Sequence, residues 1–413
     1  MKKFILFLFA FLLYTNSALA TTYYVQPNGG TASECNGLSD KDKTAISLVT
    51  KDCALSHPFY VISPRDNFNT QVSIKTLLKG GDTLIIDGSY MMGLGVINTE
   101  ICNNSWGYEC FMQKIPSGTI VNPTRILGKG WNTGCSNPPQ LWGTHKATYI
   151  LNLTGTSNVE VQCLEITDHS DCMYRGPKNQ CNETSPTYGP YAQTGIVISN
   201  SINGLLKNVN IHGLYRGIRA ARLTDWTIED SKFNNNTLVG WDGDMGATSS
   251  SNSGTITFNK VEIIGNGCGE TYPGLQPYNC CSQSQGCYGD GLGTQKTGAN
   301  WVFRNCKIKR NTSDGLDLLY HDGNGTVIID NCDISENAGQ QVKVNTTQYI
   351  SNSLIDGNCA WFKNNPITLA LAPNGQGFDS CRAGGDAVFV GLRPGTKSTL
   401  TNTQILNILH IGI

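Results

Sequence analysis

The chain has 413 residues, and its 30 basic and 31 acidic side chains leave a formal net charge of −1 at pH 7. Charged residues make up only 15% of the sequence, which argues against a nucleic-acid partner. The 46 glycines and the absence of a long amphipathic helical pattern favour a turn-rich β protein over a helical one.

Residues 1–20 are predicted to be a secretory signal peptide. Lys2 and Lys3 give a positive start, residues 4–14 give an apolar run, and residues 18–20 read Ala-Leu-Ala, a small-x-small cleavage pattern. The apolar run is shorter than the roughly 20 residues that a membrane span needs. We therefore expect a secreted protein, extracellular or periplasmic, that is monomeric and has no membrane span.

The sixteen cysteines all follow the signal segment. An even, high count in an exported chain favours disulfides over a metal site. The sequence does not determine their pairing, and Cys172 with Cys181 and Cys102 with Cys110 are local guesses.

A six-residue pattern recurs along the chain: apolar, any residue, Asn-like, small, any residue, apolar. Its copies occupy residues 161–166, 206–211, 228–233, 258–263, 303–308, 329–334, 350–355 and 400–405. A second phrase, usually opened by glycine, starts at positions 195, 217, 240, 291, 315 and 341. Short strands repeated at this period predict an all-β fold, a right-handed parallel β-helix with three strands per coil.

The repeats predict one domain over residues 21–413, with an irregular N-terminal cap at about 21–120. A Cys-rich loop insert is expected at 268–288, either as one wall of a sugar-binding cleft or as a surface ornament. The Asn-like column is expected to be a ladder of turn residues whose stacked amides satisfy free backbone groups. Cys306 and Cys332, in the small-residue column, are expected to be packed core thiols.

Equivalent residues of successive coils stack about 4.8 Å apart, so the second phrase defines an outward column of side chains. This column is Val197, Arg219, Asp242, Gly293, Asp317 and Lys343, and the residues just before each strand add Arg216, Asp290 and Asp314. Charges therefore converge on one strip of a chain that has few of them. The Asp-Gly pairs of this strip are also ordinary turn chemistry, which is the structural alternative.

Hard carboxylate ligands clustered in this way suit Ca²⁺, and we expect Asp290, Asp314 and Asp317 to hold the ion. Lys343 would stack on Asp317, and a nearby cation lowers the pKa of a lysine, so Lys343 is the expected base. A solvated surface lysine is the alternative reading of this residue. Asp314 and Asp317 can share an ion only if the chain turns between them, which Gly315 would permit.

The remaining charged residues of the strip are assigned around this centre. Arg219 is expected to act with Lys343 in catalysis, and pairing with Asp242 is its alternative role. Substrate contacts are expected from Arg216, Asp242, Asp244 and His321, although a loop role is the alternative for the histidine.

Three segments resemble polysaccharide lyase family nine, the β-helical pectate lyases. Residues 311–319 (NTSDGLDLL) resemble the family's N-S-D-D-G-W-D-L segment, residues 287–293 its A-D-G-F segment, and residues 337–344 its G-N-G-F-K-L-G segment. Ser313 stands where that family has the first aspartate of a pair, so one carboxylate is missing.

The resemblance implies that Asp290, Asp314 and Asp317 bind Ca²⁺ and that Lys343 is the Brønsted base. The opening motifs, such as residues 23–29 and 81–90, are similar to those of secreted β-helix lyases in general. We therefore expect a lyase-like enzyme that cleaves an acidic, uronate-containing polysaccharide by Ca²⁺-assisted β-elimination. The alternatives are a two-carboxylate glycoside hydrolase, which would use Asp242 and Asp317, and a non-catalytic carbohydrate-binding or adhesion β-helix.

Overall fold

A computed structural model describes most of the chain. It covers residues 20–45, 50–66, 76–93, 110–143, 147–173, 181, 192–245, 251–272, 275–280, 289–358, 360–364, 387–390 and 393–407. The predicted signal peptide therefore lies outside the described residues, except for Ala20.

The described chain is almost entirely β-strand. The first fifteen strands are β1 (Thr22–Gly30), β2 (Pro64–Asp66), β3 (Thr83–Ile86), β4 (Ser89–Met92), β5 (Cys110–Met112), β6 (Thr124–Gly128), β7 (Gln140–Gly143), β8 (Ala147–Thr154), β9 (Val159–Asp168), β10 (Ala192–His212), β11 (Arg216–Glu229), β12 (Lys232–Asn234), β13 (Val239–Asp242), β14 (Ser253–Asn259) and β15 (Glu262–Ile264). The others are β16 (Cys268–Thr271), β17 (Leu275–Cys280), β18 (Leu292–Gly293), β19 (Asn300–Arg304), β20 (Lys307–Lys309), β21 (Leu316–Leu318), β22 (Thr326–Asp330), β23 (Asp333–Ser335), β24 (Val342–Val344), β25 (Thr347–Ser351), β26 (Leu354–Asp356), β27 (Val388–Val390), β28 (Ser398–Thr401) and β29 (Gln404–Leu406). Short 3-10 helices span Lys43–Ala45 and Pro58–Tyr60, and one α-helix, α1, spans Ala360–Asn364.

Twenty-five of these strands pair in parallel and wind into a β-helix. Sheet one contains β1, β3, β6, β14, β19, β22, β25 and β28, with parts of β9, β10 and β11. Sheet two contains β4, β7, β12, β15, β20, β23, β26 and β29, with parts of β9 and β10. Sheet three contains β8, β13, β18, β21, β24 and β27, with the first parts of β10 and β11. The predicted parallel β-helix with three strands per coil is confirmed.

The N-terminal region joins the solenoid early. β1 pairs with β3 in sheet one, and β4 pairs with β7 in sheet two. Parallel pairing therefore begins within the region that was expected to be an irregular cap. The strands outside the solenoid form two antiparallel pairs, β2 with β5 and β16 with β17.

The Asn-like column makes the turn from sheet one to sheet two. Its members have left-handed backbone angles, with φ of 52° at Asn208, 56° at Asn305, 54° at Asn331 and 51° at Asn352. Asparagine tolerates this conformation better than most residues, which explains the pattern. The amide of Asn331 also donates to Asn305 at 2.7 Å, so part of the predicted amide ladder is present.

A second ladder, made of buried asparagine side chains, precedes sheet three and was not predicted from the sequence. Asn236, Asn266, Asn311 and Asn337 each donate to the next residue of the ladder, at 2.8–3.0 Å, and the last acceptor is Gln341. Because each amide also bonds backbone groups, the ladder satisfies polar atoms that the bend would leave unpaired.

A column of glycines lies beside this ladder and allows the backbones of successive coils to approach closely. Its members are Gly195, Gly217, Gly240, Gly291 and Gly315, and a Cβ on any of them would lie 2.6–2.7 Å from a carbonyl oxygen of the next coil. Gly315 is therefore required by close packing, and its φ is not in the left-handed region. The expected role of Gly315 in a turn is corrected accordingly.

The interior of the solenoid is apolar, with a ladder of aromatic rings at its centre. Phe258 lies between Trp241 and Phe303, with ring centroids 5.2 and 5.1 Å away, and Trp301 stacks on Phe303. Cys306 and Cys332 are buried free thiols packed in this core, as predicted.

Four disulfides occur among the described residues: Cys35–Cys53, Cys135–Cys163, Cys172–Cys181 and Cys268–Cys280. The guess that Cys172 pairs with Cys181 is confirmed, whereas Cys102 lies outside the described residues. None of the helices described is both long enough and apolar enough to cross a membrane.

Candidate functional site

An open cleft of about 810 Å³ lies on the outer face of sheet three. Eight of the nine residues that the sequence singled out line it. They are Arg216, Arg219, Asp242, Asp244, Asp290, Asp314, Asp317 and Lys343. The solenoid therefore brings together residues that are as many as 127 positions apart in the sequence.

The strand register confirms the predicted outward column. Arg219 pairs with Asp242, Asp242 with Gly293, Gly293 with Asp317, and Asp317 with Lys343. Their side chains project from one face because alternate residues of each strand point outward.

Lys343 is the centre of the most charged part of the cleft. Its Nζ lies 3.1 Å from Asp314 Oδ2 and 2.9 Å from Asp317 Oδ2. The other oxygens of these carboxylates are held by the backbone, since Gln340 N–H donates to Asp314 Oδ1 and Leu319 N–H donates to Asp317 Oδ1. Both acids are therefore fixed in position and aimed at the lysine.

The charge of Lys343 depends on these two acids. Burial lowers the pKa of Lys343, but the carboxylates of Asp314 and Asp317 outweigh burial and raise its net pKa above the ordinary value. In this arrangement Lys343 is an ammonium ion, so the basic role expected from the sequence requires another cation to neutralise the two acids.

Asp290 lies one coil before Asp314 and completes the acidic group. Its Oδ1 accepts a hydrogen bond from Asp314 N–H at 2.9 Å. Burial and the neighbouring charges of Asp314 and Asp317 raise the pKa of Asp290 to about 7. A Cβ at position 293 would lie 2.8 Å from Asp290 Oδ2, so Gly293 leaves the space that this carboxylate fills.

The three acids fit a calcium ion in the chemistry of their donors. Carboxylate oxygens are the ligands that Ca²⁺ prefers. Burial is the main cause of the raised pKa of Asp290, repulsion from Asp314 and Asp317 adds to it, and a nearby cation would favour the charged form of this acid. In the described residues, however, no three His, Cys, Asp or Glu side chains are arranged so as to hold a metal ion. Lys343 instead contacts two of the carboxylates, so an ion would have to take over these contacts.

The two arginines lie at the other end of the cleft. Arg216 Nε lies 2.6 Å from Asp242 Oδ2, and Arg219 Nε lies 3.7 Å from the same oxygen. Arg216 also lies over the ring of Tyr215, 4.5 Å from its centroid. Burial raises the pKa of Asp242 although both arginines oppose the effect.

Asp244 is exposed and follows this group directly. Its backbone N–H donates to Asp242 Oδ1 at 2.8 Å, and its carbonyl accepts from Arg219 at 3.4 Å. The backbone of Asp244 therefore helps to position Asp242 and Arg219, and Asp244 itself lines the cleft.

Arg219 is not close to Lys343, contrary to the expectation that the two act together in catalysis. Four strand spacings separate them, which is about 19 Å along the solenoid axis. The two side chains therefore cannot act on the same sugar atoms. The register instead pairs Arg219 with Asp242, which was the alternative.

His321 lies outside the cleft. Its side chain is buried, Nε2 lies 3.0 Å from the carbonyl oxygen of Ala299, and Nδ1 accepts from Gly323 N–H at 3.1 Å. Because the backbone engages both ring nitrogens, the geometry supports the loop role and not a substrate contact.

The described part of the insert packs away from the cleft. The Cys268–Cys280 disulfide closes the β16–β17 hairpin, and Tyr272 stacks on His169 with ring centroids 3.8 Å apart. His169 stacks in turn on Trp142 of sheet two. Residues 281–288 lie outside the described residues, so the hairpin alone is placed on the surface of sheet two.

Two aromatic residues of the cleft were not predicted from the sequence. Tyr215 precedes β11 and Tyr320 follows β21, and both line the cleft. The sequence does contain a signal for them, because each tyrosine lies next to a strand that carries outward-facing charged residues.

Several solved structures are similar to this chain. Pectate lyase Pel9A has 14% identity and a TM-score of 0.42, over 82% of this chain and 76% of its own. An alginate lyase from Paenibacillus sp. str. FPU-7 has 13% identity and a TM-score of 0.42, over 81% of this chain and 93% of its own. A rhamnogalacturonan lyase has 11% identity and a TM-score of 0.40, over 93% and 88%. No family model and no curated protein sequence matches the chain.

Proposed function

We propose that this protein is a secreted polysaccharide lyase-like enzyme that cleaves an acidic, uronate-containing polysaccharide by Ca²⁺-assisted β-elimination. The observation that carries the proposal is the contact of Lys343 with both Asp314 and Asp317 in an open cleft. A potential base and potential metal ligands are adjacent there, in a cleft of about 810 Å³.

The charge of the cleft supports a divalent cofactor. Five carboxylates and three basic side chains line it, which is a formal excess of two negative charges. An acidic polysaccharide would be repelled by this excess, and one divalent cation would offset it. Asp290, Asp314 and Asp317 are the residues that would hold the ion.

When bound, Ca²⁺ would neutralise the substrate carboxylate, make the adjacent C–H acidic and disfavour the ammonium form of the nearby lysine. Lys343, as a neutral amine, would remove the proton α to the carboxylate. The electron pair released would form the carbon–carbon double bond as the β C–O bond breaks, and the departing oxygen would take up a proton. Arg216 and Arg219 would bind carboxylates of the same chain further along the cleft.

A two-carboxylate glycoside hydrolase is the second candidate, because burial raises the pKa of both Asp242 and Asp317. These residues are two strands apart, which is about 9–10 Å. Inverting hydrolases separate their carboxyl groups by roughly 6.5–9.5 Å, so the spacing is at the upper edge of that range.

Product chemistry tests the proposal. The protein is incubated with pectate, alginate and glycosaminoglycans, with added Ca²⁺ or with a chelator, while ultraviolet absorbance and reducing ends are followed. A lyase generates both signals with one of these polymers, and the chelator abolishes both. Reducing ends without absorbance would indicate the hydrolase, and binding without either signal would indicate a carbohydrate-binding β-helix.

A further inference from the structure

A second cleft, of about 860 Å³, opens beside the first. It lies where the chain leaves β18, β21, β24 and β27, and Lys296, Asn345 and Arg393 from the following loops line it. Gln295 and Tyr320 line both clefts, so the two depressions adjoin at these residues. The junction is next to the proposed reaction centre, since Tyr320 is only three residues beyond Asp317.

Tyr320 has an unusually exposed ring at this junction. Its relative exposure is 58%, higher than that of any other tyrosine among the large exposed apolar residues of the described chain. A tyrosine presents an apolar face and a polar tip, and pyranose rings offer matching faces of C–H groups between their hydroxyls. This ring can therefore support a sugar that passes from one cleft to the other.

The second cleft has the opposite charge balance to the first. Lys296 and Arg393 contribute two positive charges, and Asp322 contributes one negative charge. The carboxylate of Asp322 is already engaged, since it accepts from Asn324 N–H of its own loop at 2.9 Å and from the hydroxyl of Ser251, which precedes β14, at 3.4 Å. Arg393 donates to the carbonyl oxygen of Asp322, and no acidic partner for Arg393 occurs in the described part of the chain. The guanidinium is thus available to a carboxylate of a ligand.

We propose that an acidic glycan bound over Lys343 continues past Tyr320 into the second cleft, with a sugar ring on Tyr320 and a uronate carboxylate on Arg393. This inference rests on the proposed function and adds the binding region on the other side of the reaction centre. The chain is then held on both sides of Lys343, so cleavage occurs within the polymer and not at its end.

Calorimetric binding of oligouronates of two lengths tests the inference. The probes are two-sugar and eight-sugar fragments of pectate and of alginate, and Ca²⁺ is present throughout. The protein is the full chain carrying Lys343→Ala, so that the probes are not consumed. Tyr320→Ala or Arg393→Gln, added to this background, should weaken binding of the eight-sugar fragment about tenfold, equivalent to about 1.4 kcal/mol. Arg393→Gln should leave binding of the two-sugar fragment within about twofold, because Arg393 lines only the second cleft whereas Tyr320 lines both.

Tyr349→Ala is the matched control, because Tyr349 is 43% exposed on β25 of sheet one, outside both clefts. It should leave both fragments unaffected. Unchanged binding of the eight-sugar fragment in Tyr320→Ala and Arg393→Gln would overturn the inference while leaving the proposed function standing. Equal losses for both lengths in Arg393→Gln would also overturn it, and a parent protein that binds no oligouronate would remove the proposed function itself.

Discussion

Lys343 and Asp317 face each other across neighbouring strands of sheet three, with Nζ 2.9 Å from Oδ2. Asp314 contacts the same Nζ from the turn before β21. One ammonium group thus occupies the position between two carboxylates where a metal ion would be expected. The account therefore predicts that the lysine and a divalent cation compete for these acids.

The first prediction concerns stability and Ca²⁺. The ion should raise the unfolding temperature of the wild-type protein, because a ligand that binds only the native state stabilises it, by about 2.7 kcal/mol at a hundred times its Kd. Asp290→Asn and Asp317→Asn should lose this response. Asp333→Asn should keep it, since Asp333 pairs with Lys309 on sheet two. Thermal unfolding with Ca²⁺ and with chelator measures the effect, and equal responses in all variants would exclude the proposed ligands.

The second prediction concerns His212, which lies between Glu165 and Glu270 and anchors the insert hairpin. Burial lowers the pKa of His212, but contacts with the two glutamates outweigh burial and raise the pKa to about 9. Because this exceeds the unfolded value of about 6.5, the stabilisation is fully present below pH 6.5 and disappears as the pH rises through 9.

His212→Gln should therefore reduce the free energy of unfolding at pH 6 by about 3 kcal/mol, because each unit by which folding raises the pKa corresponds to about 1.4 kcal/mol. The difference from the wild type should shrink towards zero above pH 9. Denaturant unfolding at pH 6, 8 and 10 measures it, and a difference independent of pH would show that the histidine is not charged in the folded protein.

The third prediction concerns the glycine column. An alanine at position 315 would place its Cβ 2.6 Å from the carbonyl oxygen of Gln341 and 2.7 Å from Asn337 Nδ2, both of which belong to the next coil. The coils would have to separate, at a cost of about 1–3 kcal/mol in stability. Asp314 directly precedes this glycine and contacts Lys343, so the substitution should also lower the rate at which the unsaturated product forms. Unchanged thermal unfolding of Gly315→Ala would contradict the packing argument.

The sequence was sufficient to predict the coil and the composition of the cleft. The repeat positions identified which residues share a column because β-strands alternate faces and parallel coils keep their register. Arg219, Asp242, Gly293, Asp317 and Lys343 stack in the predicted order for this reason.

The sequence was not sufficient to predict where side chains outside the strands lie. Arg219 was expected to act with Lys343, although the predicted column itself places four rungs between them, so the column was right and the assigned role was not. His321 follows the same strand as Tyr320, yet the chain turns between them, so the histidine is buried and the tyrosine is exposed. The buried ladder that begins at Asn236 was also missed, because asparagines are equally common in exposed turns.

The central claim is that Lys343 removes a proton from a uronate, and its most direct test is the initial rate of ultraviolet-absorbing product formation. Lys309 is the matched control, since it also contacts two carboxylates, Asp333 and Glu336, but lies on sheet two. Lys343→Ala should lower the rate by at least about 100-fold, the typical loss for a general base, while circular dichroism shows a retained β fold and Lys309→Ala keeps the wild-type rate. A Lys343→Ala protein that forms the unsaturated product at the wild-type rate would contradict the account.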